Sequence, residues 1–398
     1  MFEVAFGELL SEPLRNGVSY PSRSRGQGVR MVNMRELFAN DHITPEVECE
    51  RVPLTTSEKT SSILQWGDLL FARQSLTYEG AGKVSLVVDE SGPTWDSHLI
   101  RARVKPTRAD SSYLYYFFRS AEGRRRMKTI VQQVAAAGIR GSDLARLTVP
   151  SPPLSEQRAI AEVLGALTDK IAANTALAER AEALGSVVYD SMSAFWPRVP
   201  MSSVLNAILG GTPPRARDDY WTDGDQLWIS ARDITSASNK VVIDTAEKIT
   251  RGAVAGTKAK ALPSGSVILT ARGTVGEVGR LARPASFNQS CYGFRPDVVP
   301  PGLLYFSILR ATQRAKAVAH GSVFDTITKT TFEHLDLAWN EGQAAAAEDA
   351  VSPILDVVSA AVSENRALAA LRDALLPQLM SGKIRVRDAE AAASEAGA

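Results

Sequence analysis

Two cysteines in 398 residues, Cys49 and Cys291, are too few and too far apart for a disulfide scaffold. They fit a reduced, cytoplasmic protein. No stretch approaches the roughly 18 uninterrupted apolar residues of a membrane span. The opening Met1-Phe2-Glu3-Val4-Ala5-Phe6-Gly7-Glu8 has neither a basic nor an apolar signal region, so no signal peptide is expected. One sign of charge does not dominate either: the formal net charge is +1. Any affinity for a polyanion must therefore come from local patches or from a partner that shares the work. Two such patches stand in the first half, Arg101/Arg103/Lys105/Arg108 and Arg124/Arg125/Arg126/Lys128; each reads equally well as a solvated face.

The missing chemistry is more informative. A nucleotide-hydrolysing loop needs Gly-Lys-Ser/Thr, and the Gly-Lys pairs here continue as Gly82-Lys83-Val84 and Gly382-Lys383-Ile384. An amino-methyltransferase would carry Asn/Asp-Pro-Pro-aromatic, but the Pro-Pro pairs follow Ser151, Thr212 and Val299. No Asp/Glu-x-Lys of a metal-dependent nuclease occurs. The histidines, His42, His98, His320 and His334, lack metal-ligand spacing. Gly273, Gly276 and Gly279 read as a turn between strands rather than a dinucleotide loop. No catalytic residue, metal or cofactor is expected.

What is present is a long internal repeat. Gly67-Asp68-Leu69-Leu70-Phe71-Ala72-Arg73 parallels Gly265-Ser266-Val267-Ile268-Leu269-Thr270-Ala271-Arg272, each a buried strand ending at an arginine. Glycine turns then lead into Val84–Val88 and Val278–Leu281. Tyr113-Leu114-Tyr115-Tyr116 parallels Leu303-Leu304-Tyr305-Phe306, both opening a helix. The order is globular unit, long helix, globular unit, long helix. The boundaries are residues 1–150, 151–196, 197–339, 340–387 and a fraying tail at 388–398.

Pro152-Pro153 and Ser155 mark the start of the first long helix, with Ser155 as N-cap. Ile160, Leu164, Leu167, Ile171, Leu177, Ala181, Leu184 and Val188 give it a seam in steps of mostly three and four. Trp196-Pro197 should end it. In the second helix, Pro353 predicts a kink or fresh start with Ser352 as cap, Pro377 a second irregularity, and Gly382 the stop. Asn174 and Asn365 interrupt the two seams at matching places. They either set the register of a helix pair or lie just off the seam in water.

Pro152-Pro153-Leu154-Ser155-Glu156-Gln157-Arg158-Ala159-Ile160-Ala161-Glu162-Val163-Leu164 resembles the start of the central helix of type I restriction–modification specificity subunits. Leu371-Arg372-Asp373-Ala374-Leu375-Leu376-Pro377-Gln378-Leu379-Met380-Ser381-Gly382-Lys383-Ile384 resembles their C-terminal segment. Gly210-Gly211-Thr212-Pro213, Tyr220-Trp221, Trp228-Ile229-Ser230 with Asp233, and Asn288-Gln289-Ser290 resemble marks of their recognition domains. The chain departs at Leu337-Ala338-Trp339-Asn340-Glu341, where the second helix lacks the Pro-Pro-Leu opening. It departs again at Ser97-His98, which are taken to stand where the second unit has Asn288-Gln289.

The resemblance implies an α+β fold. It would comprise two target-recognition domains separated by two long helices packed as an antiparallel coiled coil, with pseudo-twofold internal symmetry. It implies a non-catalytic subunit that reads a split double-stranded DNA target. The helices would space the half-sites and dock two methyltransferase (modification) subunits and restriction subunits. The alternatives are a single-chain DNA-modifying enzyme and a coiled-coil scaffold without a DNA role. Arg and Gln read guanine and adenine edges, so the DNA-contact candidates in the first unit are Arg23, Arg25, Arg73, Gln74 and Arg140. In the second they are Thr212, Arg215, Arg217, Tyr220, Arg232, Arg272, Thr274, Asn288 and Gln289. For Thr212, Tyr220, Asn288 and Gln289, as for Trp221 and Trp228, a structural role competes with a reading role.

Overall fold

Short, mostly apolar runs closed by glycine turns give the central strands, and these assemble into the same sheets twice. The computed structural model describes residues 2–133, 136–318 and 326–398. The chain divides into two compact units, Met1–Lys170 with Ala367–Ala398, and Ile171–Arg366.

In the first unit a five-stranded sheet runs in the order Arg15–Asn16, Leu99–Ala102, Leu69–Ala72, Val84–Val87, His42–Ile43. All neighbours are antiparallel except the last pair, which is parallel. In the second unit the order is Ile208–Leu209, Cys291–Phe294, Val267–Thr270, Val278–Leu281, Val241–Val242, again with only the last pair parallel. Leu69–Ala72 and Val267–Thr270 are buried at every position, which explains why Thr270 alone among their eight residues is polar.

A smaller sheet accompanies each. In the first unit Val29–Val32 lies between Glu50–Val52 (antiparallel) and Thr94–Trp95 (parallel). In the second, Gln226–Ile229 lies between Glu247–Ile249 (antiparallel) and Ala285–Phe287 (parallel), and Ala261–Leu262 is added at the edge.

The glycine turn between the two central strands is as expected: Gly273 and Gly276 have φ of +77° and +79°, a conformation that favours glycine. The helix that follows the sheet differs between the units. In the first it breaks at Ser120, whose Oγ caps a second segment, Ala121–Lys128. In the second it runs unbroken from Pro301 to Val318.

Both long helices are present, with corrections. The first spans Leu154–Ser193. It starts one residue before the expected cap, because the Pro153 carbonyl already accepts from the Glu156 and Gln157 amides. The second runs without interruption from Glu341 to Ser381, so neither Pro353 nor Pro377 restarts it. Both prolines lie on the exposed face, where water can serve the freed carbonyls. Val351, Leu355 and Val358 beside Pro353 are buried, and this packing outweighs the lost hydrogen bond.

Gly382 ends the helix with φ +69°; its amide bonds to the Leu379 carbonyl, and the Lys383 amide to that of Gln378. The tail does not fray as expected. Val386–Glu395 is helical, with Ala389 and Ala393 buried.

Within the second unit the long helices lie side by side and antiparallel. Asn174 donates to Glu364 Oε2 at 2.7 Å, and Asn365 to Thr175 Oγ1 at 3.0 Å. Both asparagines therefore bridge the helices instead of standing off in water. Leu177 and Leu184, expected in the seam, are about half exposed. The inward positions are Asn174, Ala178, Gly185 and Tyr189. Position 185 needs glycine: a Cβ there would come within 2.9 Å of the Phe306 ring, carried on Pro301–Val318.

Candidate nucleic-acid interface

In the second unit Gln226–Ile229 and Ala285–Phe287 are parallel, so their C-terminal ends emerge on one edge. Ser230 follows the first strand and caps Ala231–Ser236, with Asp233 completing a capping box. Arg232 is exposed in the first turn of that helix. Asn288 follows the second strand. Its amide donates to the Ile229 carbonyl at 2.9 Å, and its Oδ1 accepts from the Ser290 amide at 3.0 Å. The Ser290 carbonyl accepts from Ala271 at 2.7 Å, which draws the end of Val267–Thr270 to the same edge. Arg272 and Thr274 stand there, exposed. Thr212 reaches the edge because Gly211 bonds to the Phe287 carbonyl, and its hydroxyl meets Gln289 Oε1.

One edge thus gathers Thr212, Arg232, Arg272, Thr274, Asn288 and Gln289. Among the described residues, neither Arg232 nor Arg272 has a side-chain partner. The other candidates of this unit are committed to local structure. Arg215 forms a two-point pair with Glu247 (2.5 and 2.9 Å) and lies 3.7 Å from the Trp221 ring centre. It holds the Glu247 carboxyl below its ordinary range. Arg217 grips Asp219 at 2.7 and 2.6 Å over the Tyr220 ring. Trp228 donates to the Gly211 carbonyl at 3.0 Å. These contacts fold the segment that presents Thr212.

The first unit builds the same edge. The Asp96 amide donates to the Val32 carbonyl, the Asp96 carboxylate accepts from the His98 amide at 2.8 Å, and Arg73 donates to the His98 carbonyl. These bonds match those of Asn288, Ser290 and Ala271. The counterpart of Asn288 is therefore Asp96, and the expected match of Ser97-His98 to Asn288-Gln289 is out by one residue. Likewise Arg73 matches Ala271, not Arg272, and Gln74 matches Arg272. Arg73 is turned inward, donating to the Ser97 carbonyl at 3.0 Å. Gln74 is exposed. Arg140, also exposed, follows the strand Ala137–Gly138, which pairs with Gln74–Ser75. Arg23 is exposed in the turn Ser22–Ser24. Arg25 is held by Glu50 at 2.5 Å and by the Tyr20 carbonyl.

Sequence reasoning missed Arg35. It sits in the first turn of Met34–Ala39 behind the Asn33/Glu36 capping box, the place Arg232 holds behind Ser230/Asp233. The shared three-residue capping interval was the signal that could have found it.

Most arginines of the two basic patches are spent internally, while Lys105, Arg108 and Lys128 are exposed. Arg101 is buried and bonded to Glu12 at 2.9 Å; Arg103 pairs with Asp68 and Glu12. Arg125 and Arg126 grip Glu122 and hold its carboxyl down to about 2, while Arg124 donates to the carbonyls of Glu79, Ala81 and Gly82. His98 Nδ1 lies 2.6 Å from Asp96, His42 packs against Tyr115, and His320 lies outside the described residues.

The chain matches the family described as the type I restriction modification DNA specificity domain over residues 40–183 and again over 196–338. It belongs to that family. The second match spans one copy of the repeated sheets; the first begins within the other copy and runs on into the central helix. Among similar proteins, the type I restriction enzyme EcoKI specificity subunit of Escherichia coli K12 is 32% identical over 161 residues, 39% of this chain and 33% of that protein. The MjaIX specificity subunit of Methanocaldococcus jannaschii is 26% identical over 142 residues, 34% of this chain and 32% of that protein. These alignments span about a third of each relative. The crystal structure of a type I restriction–modification S subunit from M. genitalium shares the fold, with a TM-score of 0.64 at 12% identity over 95% of both chains.

Each specificity domain positions its exposed edge through backbone hydrogen bonds from parallel strand ends. Asn288 and Asp96 also use their side chains to hold the turn, whereas edge side chains that take no part in these bonds, such as those of Arg272 and Gln74, can vary without cost to the sheet. Among the described residues no helix is long and apolar enough to cross a membrane.

Proposed function

We propose that this chain reads double-stranded DNA as the non-catalytic specificity subunit of a type I restriction–modification complex. Each specificity domain reads one half of a split target through its strand-end edge. Arg23, Gln74 and Arg140 in the first domain, and Thr212, Arg232, Arg272, Thr274, Asn288 and Gln289 in the second, stand nearest the bases and phosphates. Arg25, Arg73, Arg215, Arg217 and Tyr220 shape the edge. The observation that carries this reading is the duplication of the edge. The same backbone bonds present different exposed side chains in the two copies, as two different half-sites require.

The long helices act as the spacer, paired as an antiparallel coiled coil, and as the docking surface for two methyltransferase subunits and restriction subunits. The unbroken length of both helices, the second running on past Pro353 and Pro377, supports the spacer role. The exposed apolar residues Leu177, Leu184, Val187 and Phe195 support docking. A near-neutral chain can bind DNA in such a complex because its partners share the phosphate contacts.

The test is genome-wide mapping of methylated adenines in the host with and without this gene. Loss of one asymmetric, split motif on deletion is the expected result. An unchanged methylation pattern would overturn the proposal. Inserting four residues into the central helix adds about 6 Å and should change the tolerated gap while leaving both half-sites intact.

A further inference from the structure

Hydrogen bonding, not residue type, fixes which positions of the two domains correspond. Ala72 pairs with Leu99 as Thr270 pairs with Cys291. The next residues, Arg73 and Ala271, donate to the carbonyls of His98 and Ser290 and accept from the amides of Ile139 and Ile327. One position further, at the edge, stand Gln74 and Arg272. Both are exposed, and among the described residues neither side chain has a hydrogen-bond partner. Their carriers are stiff: each stands two residues beyond the end of a strand buried at every position.

Two domains that share a scaffold but read different half-sites must differ where they read. Arg35 and Arg232 are identical at their matched position and carry no information that could tell the half-sites apart. Gln74 and Arg272 differ, and in an informative way. The amide of Gln presents the donor and acceptor that match adenine N7 and N6. The guanidinium of Arg presents the two donors that match guanine O6 and N7.

We propose that Gln74 and Arg272 occupy one shared base-reading position. Gln74 selects an A·T pair in one half-site, and Arg272 selects a G·C pair in the other. This inference rests on the DNA-reading function proposed above and assigns its specificity to two residues.

The experiment replaces the chromosomal gene in its own host with Gln74→Arg or Arg272→Gln and reads the modified motif across the genome. Gln74→Arg should convert one A·T pair of one half-site to G·C and leave the other half intact. Arg272→Gln should make the reverse change in the other half-site. Preference at the affected pair should shift about 5- to 150-fold. An unchanged motif with both exchanges overturns the inference and leaves the DNA-reading function standing. Absence of any split motif that depends on the wild-type gene overturns both. Should an exchange abolish modification, Gln74→Ala and Arg272→Ala decide: degeneracy confined to one pair supports the inference, whereas a motif unchanged or lost altogether overturns it.

Discussion

The two specificity domains have the same hydrogen-bonded plan and hold it together by different means. In the first, the strand Leu99–Ala102 carries Arg101, buried against the Trp95 ring and bonded to Glu12. Glu12 also meets Arg103, which makes a two-point pair with buried Asp68. In the second domain the place of Arg101 is taken by Gly293, judged by their partners Leu70 and Ile268 in the adjoining strand. A Cβ there would come within 2.4 Å of Leu262 and 2.6 Å of the Phe287 ring. The place of Asp68 is taken by Ser266, a buried hydroxyl with no hydrogen-bond partner among the described residues. A charged network and an apolar plug thus fill equivalent space. The plan is set by where strands turn and which positions are buried; the chemistry inside can be exchanged if every charge keeps its partner.

Removing Asp68 should separate the domains most sharply. Asp68→Ala leaves Arg103 with half its ion pair and strips the Gln65 amide of its acceptor. It should cost about 3 kcal/mol, seen as lost hydrogen-exchange protection of Leu69–Ala72. Ser266→Ala should change protection of Val267–Thr270 by less than about 0.5 kcal/mol, since its hydroxyl is unpaired already. Equal effects would break the contrast.

Gly293→Ala tests the apolar side. Overpacking against Leu262 and Phe287 should cost about 1–3 kcal/mol, measured by the urea midpoint, and should leave the first domain's strands protected.

The matched asparagines come next. Asn174 is buried and bonds a carboxylate, so Asn174→Ala should cost about 1.5 kcal/mol. Asn365 is partly exposed and bonds a neutral hydroxyl, so Asn365→Ala should cost about 0.5 kcal/mol. Thermal unfolding of the two variants ranks them.

The smallest effect is one of pH. Glu122 is held down to about 2, first by its hydrogen bond from Arg125 and then by that from Arg126. Its folded pKa lies below its unfolded one. Its contribution is therefore full above about pH 4.5 and fades as the pH falls toward 2. The second domain's unbroken helix has Thr312 at the same count, a buried hydroxyl bonded to the Ile308 carbonyl. Glu122→Gln should flatten the acid dependence of the first domain's melting without moving the second's.

The repeat, its central strands and both long helices were legible because they rest on local pattern. Gly67 and Gly265, the buried tetrads after them, and Gly382 at the helix end each declare themselves within a few residues. The matching of individual positions was not legible. Counting from Gly67 and Gly265 to the next arginine paired Arg73 with Arg272. Strand pairing shows that the true partner of Arg272 is Gln74, because arginine recurred one residue out of step. The seam of the central helix was misplaced for a related reason. Leucines mark apolarity, but the inward face is set by what it meets: Pro301–Val318 approaches too closely for anything but Gly185, and Ala178 packs against Val358 and Ala361 of the second long helix.

The sequence by itself determined the duplication, the α+β content and the family, since these follow from turn residues, periodicity and motifs read along the chain. Only the tertiary structure decided which arginines remain free. Arg101, Arg103, Arg215 and Arg217 look no different in sequence from Arg232 and Arg272. Their carboxylate partners lie from two to more than ninety residues away. A charge is neutralised by what folding brings beside it, and that distance along the chain carries no local signal.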